Sequence, residues 1–330
     1  MALSANPAQI LFGSARAPRA LPVCDHYCGN EKLISKSLSL QAELGPVFDI
    51  TADCEDGAPI GKEVEHAQMV VAMINSDANK FDRVGIRIHD ISHSSWHTDL
   101  ELIIRGAGTR LAFVTVPKVD RMADLKRVIA AIDDVTFQSG VRRELPVHAL
   151  IETHGGLACV EEIAAHRRVE CVAFGLLDYV SGFGGAIPDS AMASPGQFEH
   201  AIVRQAQTRI SIAAHSRGKV PAHGVTTDID NPQAAGNDAA RAAAEFGFTR
   251  KWSIHPIQIR AIVSALTPSG GLIENAGEIL LAAAHADWGP IRHRGKLHDR
   301  ASYRYYWNLL SRARSANAPM SAELINAFFR

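Results

Sequence analysis

The chain has 330 residues, of which 47% are hydrophobic and 21% charged, and its 34 basic and 35 acidic side chains leave a formal net charge of -1. This length suits one barrel of about 250 residues with appendages better than two ordinary domains. The near balance of charge gives no electrostatic reason to expect a nucleic-acid or membrane-surface partner. Because no apolar run approaches the roughly 20 residues that span a bilayer, we expect no transmembrane segment.

The cysteines and the N-terminus indicate the compartment. The five cysteines, at positions 24, 28, 54, 159 and 171, are odd in number and scattered, which is typical of reduced thiols rather than a disulfide framework. A zinc clip at positions 24 and 28 would need a second ligand pair, and none stands at suitable spacing. The apolar stretch at 10–12 is too short for a signal peptide. We therefore expect a cytoplasmic protein.

Short apolar or β-branched runs alternate with helical patterns along most of the chain. The predicted strands are 20–23, 47–52, 84–88, 111–116, 147–151, 171–174, 220–225 and 251–254. The segments between them show a 3.6-residue apolar spacing, so the pattern is strand–helix repeated eight times. Eight such units predict an α/β fold whose parallel strands close into a (β/α)8 TIM barrel. A doubly wound open sheet is the alternative, but no glycine-rich dinucleotide motif follows the first strand.

The pattern changes at both ends of this repeat. We expect an N-terminal extension over 1–19, the barrel over 20–266 and a C-terminal helical arm over 267–330. The arm carries Tyr303, Tyr305, Tyr306 and Trp307, which would lose much burial energy in a solvated tail. The arm is therefore predicted to pack on the barrel or on a neighbouring subunit.

Ionisable side chains follow nearly every predicted strand. They are Asp53, Glu55 and Asp56 after the second strand, Arg87 and His89 around the end of the third, Lys118, Glu152 and Asp178 after the fourth, fifth and sixth, and His223, Asp228 and His255 at the last two. In a barrel these strand ends meet at the one face where active sites are built. Their convergence predicts an active site there.

Two of these carboxylates predict a metal. Glu152 and Asp178 follow adjacent strands and stand 26 residues apart, about one barrel unit. Two carboxylates with room for waters and a bidentate oxo-acid suit octahedral Mg²⁺. The alternative is that each carboxylate caps the helix that follows it. The nearby acidic cluster favours the metal, since several carboxylates in a confined site repel one another without a cation.

The basic side chains suggest how a substrate is held. The guanidinium of Arg87 can pair bidentately with a substrate carboxylate, although an internal salt bridge to Asp53 or Glu55 is the alternative. Lys118 raises the rival idea of a Schiff-base aldolase, which requires a neutral amine. Because Lys118 stands beside an acid-rich site, ion pairing is expected to keep it protonated.

Taken in order, these motifs resemble the citrate lyase β-subunit-like branch of the HpcH/HpaI aldolase/citrate lyase family, from about residue 48 to 269. The similar segments are Asp53-Cys54-Glu55-Asp56-Gly57-Ala58 (D-L-E-D-A-V in the family), Ile86-Arg87-Ile88-His89 (V-R-V-N), Val116-Pro117-Lys118 (L-P-K), Ile151-Glu152-Thr153-His154-Gly155 (I-E-T-A-x-G), Phe174-Gly175-Leu176-Leu177-Asp178 (F-G-x-x-D), and the stretches 224–228 and 247–258. Any one of these motifs is weak evidence, whereas the ordered set is specific.

The resemblance implies a Mg²⁺-dependent lyase that cleaves or forms a 3-hydroxyacyl-CoA such as citryl-, malyl- or citramalyl-CoA, with acetyl-CoA and a 2-oxo acid as the other partners. It implies these roles: Glu152 and Asp178 as metal ligands, Glu55 and Asp56 as holders of metal-bound water, and Arg87, Gly155 and Asp178 at the substrate. It also implies a homotrimer or a multiple of trimers. Lys296-Leu297-His298-Asp299 looks like the segment whose aspartate reaches a neighbour's site as acid or base.

Some positions depart from the family pattern. The family's first strand reads R-S-x-L-x-V-P-G, whereas residues 21–27 lack its arginine, and His89 and His223 replace an asparagine and an aspartate. These departures affect CoA recognition and substrate identity rather than the metal chemistry. Two other functions therefore stay open: a metal-dependent aldolase acting on free hydroxy-oxo acids, and a non-catalytic metabolite-binding subunit.

Overall fold

The structure is a computed structural model that describes residues 7–13 and 20–329. The chain divides into two compact units. The barrel unit runs from Pro22 to Leu266. Of the described residues, the arm unit combines 7–13 and 20–21 with 267–329.

Eight parallel strands form the barrel unit's closed sheet in sequence order, with the last strand paired to the first. The strands are β1 (Cys24–Cys28), β2 (Phe48–Asp53), β3 (Val84–Arg87), β4 (Val114–Val116), β5 (Val147–Ile151), β6 (Val169–Phe174), β7 (Val220–His223) and β8 (Arg250–Ser253). The predicted (β/α)8 TIM barrel is confirmed.

Helices follow the strands and also build the arm unit. They are α1 (Pro7–Phe12), α2 (Glu31–Leu44), α3 (Glu63–Asn75), α4 (Trp96–Ala107), α5 (Met122–Gln138), α6 (His154–Ala158), α7 (Val160–Ala165), α8 (Leu176–Ser181), α9 (Gly196–Glu199), α10 (Ala201–Ser216), α11 (Pro232–Phe246), α12 (Pro256–Leu266), α13 (Gly270–His285), α14 (Arg300–Ser315) and α15 (Ala322–Phe328), with a 3₁₀ turn at Asp189–Met192. Among the described helices, none combines the length and apolarity that a membrane crossing requires.

The first strand was predicted at 20–23, and this placement is wrong. The strand is Cys24–Cys28, paired in parallel with Phe48–Ala52 of β2. Proline at position 22 cannot donate a ladder hydrogen bond, which disfavours a strand through that position. The polar run that does form the strand is buried along its whole length, so its hydropathy gives no strand signal.

A buried ion-pair cluster explains why polar residues occupy strand positions. The fully buried Arg250 of β8 contacts Asp25 of β1 at 2.8 Å and Asp49 of β2 at 2.6 Å. Buried charges are tolerated when they are paired in this way. Because alternate strand residues share a face, Tyr27 and Trp252 stand two residues further along on the same face, where their rings stack 4.2 Å apart.

The arm unit has its own apolar core. Tyr303 is fully buried and Trp307 is 7% exposed in this core, which also contains Leu11 of α1. The arm's aromatic side chains therefore bury within the arm unit itself, apart from Tyr305, which is 62% exposed. The arm is not purely helical, because β9 (Ile291–His293) and β10 (Lys296–His298) form an antiparallel hairpin that the sequence analysis did not predict.

Candidate active site

A cavity of about 330 Å³ opens at the carboxyl ends of the barrel strands. Its lining includes Asp53, Asp56, Arg87, Glu152 and Asp178, so the structure brings together most of the predicted site residues. Glu55 lies immediately behind this group, where it pairs with Arg87 and Lys118.

Glu152 follows β5 and is 3% exposed. Its Oε1 accepts a 2.7 Å hydrogen bond from the backbone N–H of Lys118. Burial raises the pKa of Glu152 to about 8, and the neighbouring Glu55 and Asp178 add to the rise while Arg87 opposes it. Without a further cation, this carboxyl group therefore favours its protonated form at neutral pH.

The surroundings of Glu152 fit a metal ion with oxygen ligands. Gly175 lies against the carboxylate so closely that a Cβ atom there would stand 2.2 Å from Glu152 Oε2. Three residues beyond Gly175, half-buried Asp178 projects from the first turn of α8 into the same cavity. Two carboxylates at a cavity wall, one of them buried without a compensating cation, form a donor set that suits a hard divalent cation such as Mg²⁺.

Arg87 is held by acidic neighbours. Its Nε and Nη2 donate to the two oxygens of Asp53 at 2.7 and 2.5 Å, and its Nη1 lies 2.8 Å from Glu55 Oε2. The internal salt bridge considered as an alternative is thus present. This salt bridge does not use all the hydrogen-bond donors of the guanidinium, because the group has five N–H donors. Arg87 also lines the cavity.

Asp53, predicted only as an alternative partner for Arg87, pairs with that guanidinium through both of its oxygens. Burial alone would raise the pKa of Asp53. Arg87 and the backbone N–H groups of Glu55 and Gly57 lower this pKa by a larger amount, so the net shift is downwards. Asp53 is therefore an ionised clamp that fixes the plane of the guanidinium. Its position as the last residue of β2, level with Arg87 of β3, was the signal that could have revealed this role.

Lys118 stands at the end of β4 with a left-handed backbone (φ 46°). Such strain in a non-glycine residue is typical of functional sites, and here it accompanies the N–H bond to Glu152. The Lys118 amine lies 2.7 Å from Glu55 and 3.4 Å from Asp56. Burial opposes its charge, but these ion pairs outweigh burial and raise the pKa. A protonated amine disfavours the Schiff-base alternative, as expected.

Two predicted site residues have local structural roles. Gly155 is not among the residues that line the cavity; a Cβ atom there would stand 2.6 Å from the backbone oxygen of Asp120, so close packing accounts for the glycine. Asp299 belongs to the arm unit, where it caps α14 by accepting from the N–H of Ala301 at 2.9 Å.

The barrel and the site define a class of protein: a TIM-barrel enzyme with an acidic, metal-competent site at the carboxyl ends of its strands. A family model described as HpcH/HpaI aldolase/citrate lyase matches residues 49–256. Because this match spans more than half of the chain, the protein belongs to the HpcH/HpaI aldolase/citrate lyase family. The predicted family is confirmed.

Known proteins that resemble the chain agree with this assignment. An L-malyl-CoA/beta-methylmalyl-CoA lyase from Cereibacter sphaeroides is 30% identical over 266 residues, which cover 77% of this chain and 83% of the relative. A crystal structure of a citrate lyase from Burkholderia xenovorans LB400 is 49% identical, with a TM-score of 0.86, and the match covers 98% of this chain and 100% of that one.

A more distant structure shares the fold. The protein CitE from Mycobacterium tuberculosis, in complex with magnesium, acetoacetate and coenzyme A, is 23% identical with a TM-score of 0.66. The match covers 89% of this chain and 98% of that chain. The family, together with the names of the malyl-CoA lyase and of the citrate lyase from Burkholderia xenovorans, confirms the prediction of a lyase.

Proposed function

We propose that the protein is a Mg²⁺-dependent carbon–carbon lyase that cleaves or forms a 3-hydroxyacyl-CoA thioester of the citryl-, malyl- or citramalyl-CoA type, with acetyl-CoA and a 2-oxo acid as partners. The observation that carries the proposal is the buried carboxyl of Glu152, which shares a cavity with Asp178 and Arg87. The names of the malyl-CoA lyase and citrate lyase relatives support the thioester chemistry.

In this proposal Glu152 and Asp178 hold the metal, and Glu55 and Asp56 hold its waters. The bound Mg²⁺ supplies Lewis-acid stabilisation of the negative charge that develops on the substrate oxygen. Lys118 positions one residue of each pair, because its backbone N–H donates to Glu152 and its amine forms an ion pair with Glu55. Asp56 is more exposed than Glu55, with 56% against 5% of its side chain accessible, so it is the one better placed to contact water.

Arg87 binds the carboxylate of the oxo acid through the N–H donors that Asp53 and Glu55 leave unused. The cavity wall beyond it is largely apolar, with Phe174, Leu176 and Trp252 among the lining residues. A pocket with a few placed polar groups on an apolar wall is the usual form of a small-molecule site. This wall is suited to the carbon skeleton and to exclusion of water from the developing charge.

The aldolase and the non-catalytic subunit differ from this proposal in what they require. An aldolase on free hydroxy-oxo acids turns over without CoA, whereas the lyase consumes glyoxylate, pyruvate or oxaloacetate only with acetyl-CoA. A non-catalytic subunit binds the oxo acid without turnover. Acetyl-CoA-dependent loss of oxo acid under Mg²⁺ supports the lyase, and loss that is independent of acetyl-CoA contradicts it.

The proposal extends to assembly and location. We propose a homotrimer or a multiple of trimers in which Asp299 serves a neighbouring subunit's site as acid or base. The Asp299 side chain also caps α14, so the proposed role is additional to the helix cap. A cytoplasmic location is supported by the five cysteines, all of which are free thiols.

The metal assignment predicts the effect of Glu152→Gln. This change keeps the side-chain volume but removes one charged oxygen, so Mg²⁺ affinity measured by calorimetry should fall by more than about tenfold, or ~1.4 kcal/mol, together with activity. The control is Glu162→Gln, which changes an exposed carboxylate. Unchanged metal affinity in Glu152→Gln would overturn the assignment.

The carboxylate anchor predicts the effect of Arg87→Lys. Lysine keeps the charge but loses the planar fork, so oxo-acid binding should weaken by about 1.5–3 kcal/mol. Arg105→Lys, on the exposed face of α4, is the control. If folded Arg87→Lys protein binds the oxo acid as tightly as the parent, Arg87 serves only its salt bridges to Asp53 and Glu55.

The shared-site hypothesis predicts complementation. Inactive Asp299→Asn protein is mixed with inactive Glu152→Gln protein under conditions that let subunits exchange. Mixed oligomers then contain some sites with an intact metal end and an intact Asp299, so activity should return. Full activity in Asp299→Asn alone, or no recovery on mixing, would contradict the hypothesis and leave Asp299 as a helix cap.

A further inference from the structure

A second cavity, of about 320 Å³, lies at the ends of β2 and β3, and the ion-paired Glu55 and Lys118 form part of its lining. Its lining includes Glu63 in the first turn of α3, and His89 and His93 from the loop between β3 and α4. None of these three residues has a part in the proposed lyase chemistry.

The three side chains can converge on one ion. Glu63, His89 and His93 each present a ligand atom, and the three atoms lie within 4.8 Å of one another. Ligands of a tetrahedral zinc-type site stand roughly 3.3 Å apart when each is about 2.0–2.1 Å from the ion. Since His93 is only partly buried, rotation of its side chain can close this difference.

The buried carboxylate of Asp99 orients the ring of His89. Asp99 of α4 is 1% exposed, and its Oδ2 accepts from the backbone N–H of His89 at 2.9 Å and lies 2.7 Å from His89 Nδ1. Because an ionised carboxylate only accepts, Nδ1 carries the proton and Nε2 of the neutral ring keeps its lone pair. A carboxylate that holds a histidine in this tautomer is the usual support of a metal-ligating imidazole.

Glu63 and His93 lie beside His89. The ring of His93 stacks on that of His89, with centroids 4.1 Å apart and planes at 13°. Because the lone pair of each nitrogen lies in its ring plane, the His93 ring must turn out of this stack before both rings bind one ion. Glu63 Oε1 accepts from the N–H of Gly61 at 2.7 Å, which fixes its carboxylate. The Nδ1 atom of His93 accepts a weak 3.2 Å hydrogen bond from Ser95. Ligation through this ring exchanges that bond for a metal bond.

We propose that Glu63, His89 and His93 form a second metal site, which binds a divalent transition-metal ion of the Zn²⁺, Co²⁺ or Ni²⁺ class and leaves a fourth ligand position open to the cavity. Imidazole ligands favour these ions, whereas the all-carboxylate site favours Mg²⁺. The two sites therefore differ in chemistry as well as in place. This inference does not rest on the lyase activity.

The test is a Co²⁺ titration of chelator-treated, tag-free protein in excess Mg²⁺, followed by visible absorption and calorimetry, with Zn²⁺ as the competitor. Burial lowers the pKa of His89, but its bond to Asp99 raises it by more, so the titration is run at pH 8 to limit competition by protons. We expect one Co²⁺ per chain, displaced by Zn²⁺. Failure of the parent protein to bind Co²⁺ under these conditions overturns the proposal.

Variants assign the bound ion to this cavity. His93→Asn and Glu63→Gln should each lower Co²⁺ affinity at least about tenfold, and Asp99→Asn about 10- to 100-fold as a supporting partner. His97→Asn, an exposed histidine of α4, should bind as the parent does. Thermal unfolding of His93→Asn and Glu63→Gln confirms that each is folded.

The outcomes separate the two sites. Retained Co²⁺ binding in Glu152→Gln supports the second site, and its loss there shows that the ion occupied the Mg²⁺ site. Parent-like affinity in both His93→Asn and Glu63→Gln also overturns the proposal.

Discussion

At the carboxyl ends of the barrel strands, acidic side chains outnumber the basic side chains that could neutralise them. Among the residues that the structure describes, five carboxylates face two fixed cations around the main cavity. The carboxylates are those of Asp53, Glu55, Asp56, Glu152 and Asp178, and the cations are Arg87 and Lys118. Burial and the neighbouring Glu55 and Asp178 raise the pKa of Glu152 to about 8, although Arg87 opposes the rise. A divalent cation offsets most of this excess.

The two fixed cations have complementary tasks. Arg87 is clamped by Asp53 and Glu55, which sets the plane of the guanidinium before a substrate arrives. Lys118 has a strained backbone and connects Glu152 to Glu55. Preorganised charges of this kind need little rearrangement during the reaction, which is how an enzyme site lowers its barrier.

The sequence predicted much of this site because a barrel makes one face out of all strand ends. Glu152 and Asp178 could be found from their positions after consecutive strands, and both line the cavity. The clamp at Asp53 was foreseen only as an alternative partner for Arg87, since a strand pattern does not reveal which carboxylate a guanidinium selects. The strand that carries Tyr27 was misplaced because its buried face is polar and its pairing depends on β2 and β8.

The proposed second metal site could not be predicted from the sequence. Glu63, His89 and His93 come from a helix and a loop, and their meeting depends on side-chain orientation that spacing does not encode. The contact between His89 and Asp99 likewise requires the intervening loop to turn back on itself. Such features follow from tertiary structure alone.

In the proposed metal site, a cation replaces the proton on buried Glu152. Calorimetry of Mg²⁺ binding in buffers with different ionisation enthalpies measures this exchange directly. With the metal-free pKa raised to about 8, binding at pH 7 should release close to one proton per Mg²⁺, and the release should decline towards zero above pH 9 as the carboxyl becomes ionised beforehand. Magnesium affinity should accordingly rise with pH over this interval. Binding at pH 7 without proton release would contradict the account.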